Sequence, residues 1–175
     1  MQRENLVLPE CYIDTNLVNT LIGKSCNHQK GCPTVFKVMN ERLKDSFAIG
    51  VIDKDKREPK ALESFMPICN NEYIYLYKHA NRPHYIIQVS PAEEVFILHA
   101  AAELGVHLSD FGLPEDLESL KQYTKRADAK NSSLFTSLFM VLKEAPTIKT
   151  MSMTLDYLLE NKFSADTAIL CNIIK

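Results

Sequence analysis

Phe47-Ala48-Ile49-Gly50-Val51-Ile52 runs straight into Asp53-Lys54-Asp55-Lys56-Arg57. A near-continuous apolar run of this length is the pattern of a strand covered on both faces, which belongs in a parallel sheet. Open α/β sheets hold their ligands beyond the carboxyl ends of such strands. The run therefore decides for an α/β fold, and Asp53 and Asp55 stand where function is expected.

Upstream, Asn5 to Leu8 reads as a short buried strand that ends at Glu10. Asp14 or Thr15 then caps a helix carrying Leu17, Val18, Leu21 and Ile22, with Gly23 as its stop. After a polar stretch from Lys24 to Gly31, Pro33 opens a second helix with Val35, Phe36, Met39 and Leu43 on its apolar face. Downstream, a variable region covers Glu58 to Asn71. Strands are expected at Tyr73 to Tyr77 and Tyr85 to Val89, separated by a basic loop with His79, Arg82 and His84. Ser90-Pro91-Ala92-Glu93 carries the marks of a helix start: a Ser cap, Pro at the first helical position and Glu three residues after the cap. That helix runs to Leu104 and stops at Gly105. Further helices are expected at Asp116 to Thr124, Ser133 to Glu144 and Met151 to Glu160. The expected architecture is a mainly parallel sheet flanked by helices in residues 1–105, with a helical extension, residues 106–175, packed on it.

The chain has 175 residues, 46% of them hydrophobic and 24% charged, enough for one domain with a full core. Its net charge of -2 excludes a grip on nucleic acid by bulk electrostatics, which needs a surplus of Lys and Arg, so any such role is local. No apolar run approaches the roughly 20 residues of a membrane span. Met1 to Glu10 lacks the pattern of a signal peptide, so a soluble cytoplasmic protein is expected. Cys11, Cys26, Cys32, Cys69 and Cys171 contain no C-x-x-C pair, and Cys26, His28 and Cys32 are one ligand short of structural zinc. Reduced cysteines are expected.

Three carboxylate groupings fall at strand ends or a helix start: Glu10 with Asp14, Asp53 with Asp55, and Glu93 with Glu94. Each alone suits a turn or a cap. Converging, they form an anionic pocket that needs divalent cations, and hard oxygen donors favour Mg²⁺ or Mn²⁺. Because Glu93 has a task in the capping box, Glu94 is the expected ligand. Lys54, Lys56, Arg57 and Lys60 then supply phosphate contacts.

Glu10, followed four residues on by Asp14, and the later Asp53-Lys54-Asp55 at a strand end resemble the Toprim domain of primases, topoisomerases, ribosomal-RNA maturases and OLD-family nucleases. The resemblance covers Leu6 to about Leu104, with Cys11 standing where many members have Gly. It implies a Toprim/Rossmann-like fold and a metal-dependent nuclease, with Glu10, Asp53 and Asp55 catalytic. Mg²⁺ or Mn²⁺ would be held by Glu10, Asp14, Asp53, Asp55 and Glu94, with phosphate contacts from Lys125 and Lys130. It further implies DNA or RNA as substrate, with a separate ATPase subunit or a homo-oligomer as partner, including in defence against phage. Tyr12-Ile13-Asp14-Thr15-Asn16 also looks like the opening motif of PIN-domain ribonucleases, in which a strand would end at Ile13; Pro9 argues against such a strand.

A rival expectation is a binding or regulatory module that keeps the fold without catalysis. Leu134, Phe135, Leu138, Phe139 and Leu142 would then dock a partner, although helical spacing of this kind also describes core packing. The histidines form no recognisable acid/base arrangement, and neither a phosphate-cradling glycine loop nor a G-x-S-x-G elbow is present.

Overall fold

Along β2 (Ala48–Asp53) successive side chains fall on opposite faces of the sheet, and both faces are apolar. Ile49 and Val51 join one cluster, while Ala48 and Ile52 join the other. The computed structural model, which describes residues 5–54 and 59–175, places β2 inside a five-stranded sheet of order β1-β2-β5-β4-β3. β1 (Val7–Pro9), β2 and β5 (His84–Val89) are parallel, so their carboxyl ends share one edge of the molecule. β3 (Phe65–Asn70) and β4 (Ile74–His79) continue the sheet antiparallel. The fold is α/β as expected, but the sheet is mixed rather than mainly parallel.

α1 (Tyr12–Ile22) and α3 (Glu93–Leu104) pack on one face and α2 (Cys32–Glu41) on the other. A Cβ on Gly50 would lie 2.6 Å from Ile86 Cδ1 and 2.9 Å from Val35 Cγ1, so the glycine lets α2 approach the sheet. Gly50→Ala is expected to cost about 1–3 kcal/mol by overpacking. A denaturant midpoint equal to that of the parent chain would refute this.

α4 (Leu117–Thr124), α5 (Ser133–Leu142), α6 (Pro146–Asn161) and α7 (Thr167–Ile174) complete the helical back, whose buried side chains belong to the same cluster as those of α1 and α3. Phe135, Leu138, Phe139 and Leu142 are buried, so most of the α5 stripe is core. Asn16 on α1 donates to the carbonyls of Ala129 (2.9 Å) and Ser132 (3.1 Å), tying the turn between α4 and α5 to the front of the molecule.

β3 lies in the region read as variable, where Pro67 and exposed Met66 mask an edge strand; α7, capped by Asp166, also escapes the sequence reading. Ile13 is the second residue of α1, so no strand ends there. His79 ends β4 and His84 opens β5, with Arg82 in the turn between them, so this group sits at the opposite end of β5 from the carboxylates. No helix among the described residues is long and apolar enough to cross a membrane.

Candidate metal centre

The strand ends deliver carboxylates to one place because each is fixed by the backbone of its neighbour. Glu10 follows β1, and its backbone N–H donates to Val51 O on β2 at 2.9 Å. Its Oε2 accepts from the Asp53 N–H at 3.2 Å. Asp53 Oδ1 in turn accepts from the Glu93 N–H at 3.1 Å. The first amides of a helix lack internal partners, and Asp53 satisfies one of them from another strand. This explains the failure of the expected capping box: the N-cap of α3 is Ala92, without a side-chain cap, and the helix starts at Glu93 rather than Pro91.

α1 has its own reciprocal cap. Cys11 Sγ accepts from the Asp14 N–H at 3.4 Å, and Asp14 Oδ2 accepts from the Cys11 N–H at 3.2 Å. Cys11, not Asp14 or Thr15, is therefore the N-cap, with a thiol in the role usually taken by Ser or Thr. Burial, followed by the charge of Asp14, raises the Cys11 thiol far above its ordinary range, which leaves it without thiolate character.

Asp14, Asp53 and Glu93 each place one carboxylate oxygen so that the three lie within 4.8 Å of one another. Asp14 and Glu93 are each 1% exposed. Asp14 Oδ1 and both Glu93 carboxylate oxygens are buried without a hydrogen-bond partner. Burial, then the charges of Asp14, Glu10 and Glu94, pushes Asp53 up to about 9. Burial raises Asp14, and burial reinforced by the Asp14 and Asp53 charges raises Glu93 well above the carboxylate range. Buried like charges cannot all ionise without compensation. A proton held between Asp14 and Glu93 relieves part of this strain, and a cation among the three carboxylates would relieve it while partnering the orphaned oxygens.

Glu94 is buried beside this triad but outside it, its Oε1 accepting from Thr124 Oγ1 of α4 at 2.5 Å. Glu93, expected as a cap, reaches the cluster, and Glu94, expected as a ligand, anchors α4. Glu10, Asp53 and Glu94 line a cleft of about 500 Å³, whose wall also carries Lys30, Lys121, Lys125 and His28. Lys121 Nζ is held by Glu118 Oε1 at 2.8 Å.

Of the expected phosphate contacts, Lys125 lines the cleft. Lys130 lines a separate hollow with Asn16 and Asn19, and Lys54 Nζ lies 3.9 Å over the Tyr75 ring beside yet another hollow. Lys60 is exposed at the start of a short helical turn. Asp55, Lys56 and Arg57 lie outside the described residues. Lys30 and Lys121 do not stand out in sequence because their stretches carry no motif, and His28 stands out there only beside Cys26 and Cys32.

No family model matches the chain, and no curated protein or solved structure matches it. The chemistry is read from the donor set alone. Three carboxylates without a nitrogen or sulfur donor form a site that could hold a metal ion.

Proposed function

We propose that this chain is a Mg²⁺- or Mn²⁺-dependent phosphodiesterase acting on nucleic acid, built on a Toprim/Rossmann-like front. The observation that carries the reading is the triad Asp14, Asp53 and Glu93, with its unpartnered buried oxygens, beside a cleft lined by lysines. The all-oxygen donors fit a hard divalent cation, whose contribution when bound is Lewis-acid polarisation of a phosphodiester.

The protein's own groups do the positioning. Glu10 orients the end of β2 through the Asp53 amide, and Asp53 fixes the start of α3 through the Glu93 amide. Lys30 and Lys125 line the cleft as local phosphate contacts, supplying what a net charge of -2 does not. The Toprim resemblance extends the reading to a nuclease that works beside a separate ATPase subunit or a second copy of itself, as in defence against phage.

The test is cleavage of DNA and RNA with Mg²⁺ or Mn²⁺. Asp53→Asn and Glu10→Gln are expected to lower the rate by more than about 100-fold, since even the outer partners of metal ligands are worth about 10–100-fold. Cleavage unaffected by either substitution overturns the reading.

A further inference from the structure

The segment carrying His28 lies along the outer side of β1. Asn27 N donates to Val7 O and Gln29 N to Pro9 O, both at 2.9 Å, and Gly31 N donates to Glu10 O at 3.0 Å. With its neighbours bound to the strand, His28 lines the same cleft as Glu10 and Asp53, its ring stacked on Tyr12 at 4.9 Å and 21°.

The hydrogen bonds around this ring fix its tautomer. Thr15 Oγ1 donates to Cys11 O at 2.7 Å. A hydroxyl has one proton, so Oγ1 can only accept from His28 Nδ1, 2.8 Å away. Nδ1 therefore carries the ring proton and Nε2 a bare lone pair. Nε2 is buried and has no hydrogen-bond partner. Buried polar atoms are rarely left unpaired, and those that are call for an explanation such as a catalytic role. A threonine that holds a histidine by one nitrogen and leaves the other basic follows the logic of an oriented general base.

We propose that His28 is a catalytic residue of the cleft, its Nε2, enclosed in the free protein, accepting the proton of the water that attacks the phosphodiester once bound substrate uncovers this edge of the ring. The proposal rests on the nuclease reading above. In the step, the water oxygen forms a bond to phosphorus, the ester P–O bond breaks, and the water proton passes to Nε2. The leaving oxygen takes a proton from solvent, and His28 later returns its own, so the net change is hydrolysis by one water. Burial, then the positive charges of Lys130 and Lys30, holds the imidazole pKa below its ordinary value, which keeps it neutral at neutral pH. Cys11 and Tyr12 of α1 adjoin the ring, and Glu10, Asp53, Glu94, Lys121 and Lys125 complete the charged groups of the cleft.

Two measurements test this. Nitrogen-15 NMR of the histidines in the whole chain should show His28 neutral and protonated on Nδ1 at pH 7; protonation on Nε2 overturns the proposal whatever the activity. In Mn²⁺-supported cleavage, His28→Ala is expected to lose about 10²–10⁴ in rate, with Mn²⁺ affinity kept, the acid limb of the pH profile removed and partial rescue by added imidazole. Loss without imidazole rescue and without change in the pH profile overturns it. If His28→Ala and His28→Gln both cleave at the parent rate while Asp53→Asn does not cleave, the His28 proposal alone fails. If the parent chain cleaves neither DNA nor RNA with either metal, the nuclease reading fails and takes this proposal with it.

Discussion

Glu93→Gln is expected to raise the melting temperature of the metal-free protein at pH 8 while lowering its affinity for Mn²⁺ by more than about 100-fold. Glu93 is 1% exposed, both its oxygens lack partners, and it faces Asp14 and Asp53. The amide has the same shape, bears no charge and can donate to Asp14 Oδ1, which has no partner either. A carboxyl whose proton affinity is raised by folding costs stability once the unfolded chain ionises; removing that cost is worth about 1–3 kcal/mol, and each kcal/mol moves the midpoint of a domain this size by about 2–4 °C. At pH 5 the parent carboxyl is itself protonated, so the gain should shrink. Calorimetry at the two pH values with a chelator present, together with Mn²⁺ titration, gives both readings. A destabilised variant that binds Mn²⁺ as well as the parent does would remove Glu93 from the centre.

The metal-free protein should also lose stability steadily as the pH rises from about 4 to about 9, and a divalent cation should restore it. Asp53, Asp14 and Glu93 all have folded-state proton affinities above those of a free carboxyl, burial being the first cause in each case. A group whose pKa is raised by folding contributes its full stability below the unfolded value and loses it progressively up to the folded value. For Asp53 that window runs from 3.8 to about 9. Against this loss a cation at 100 times its dissociation constant returns about 2.7 kcal/mol. Melting temperatures across this pH range, with chelator and with Mn²⁺, decide the matter. A chelated protein as stable at pH 9 as at pH 5 would contradict the buried triad.

The parts of the fold that were legible in sequence are those where local pattern and tertiary demand agree. The apolar run into Asp53 needed cover on both faces and has it, and Gly23 and Gly105 end their helices as expected. Glu10, Asp14 and Asp53 stand out in sequence because each follows a strand or opens a helix. Glu93 was lost because Ser90 and Pro91 imitate a capping box, while the amide they should serve is served by Asp53, 40 residues away. Nothing local reports such a partner. His28 stands out in sequence only beside Cys26 and Cys32, whereas its place in the cleft follows from the bond of its ring to Thr15 of α1 and from the bonds of Asn27 and Gln29 to β1. β3 was hidden because an edge strand pairs on one side only and tolerates Pro67 and exposed Met66, which break the alternation a sequence reader looks for.

The wide spacing of the donors also bears on kinetics. Asp14, Asp53 and Glu93 come from the first turn of α1, the end of β2 and the start of α3, so no fragment or early hairpin contains the centre. Contacts this far apart in sequence form only after the entropy of closing the intervening loops has been overcome. The unfolded chain therefore offers a cation nothing comparable to compete with the native site. A bound ion acts on the finished sheet, lengthening the lifetime of the native state by slowing its opening, and leaves the search that builds the sheet to the apolar strands.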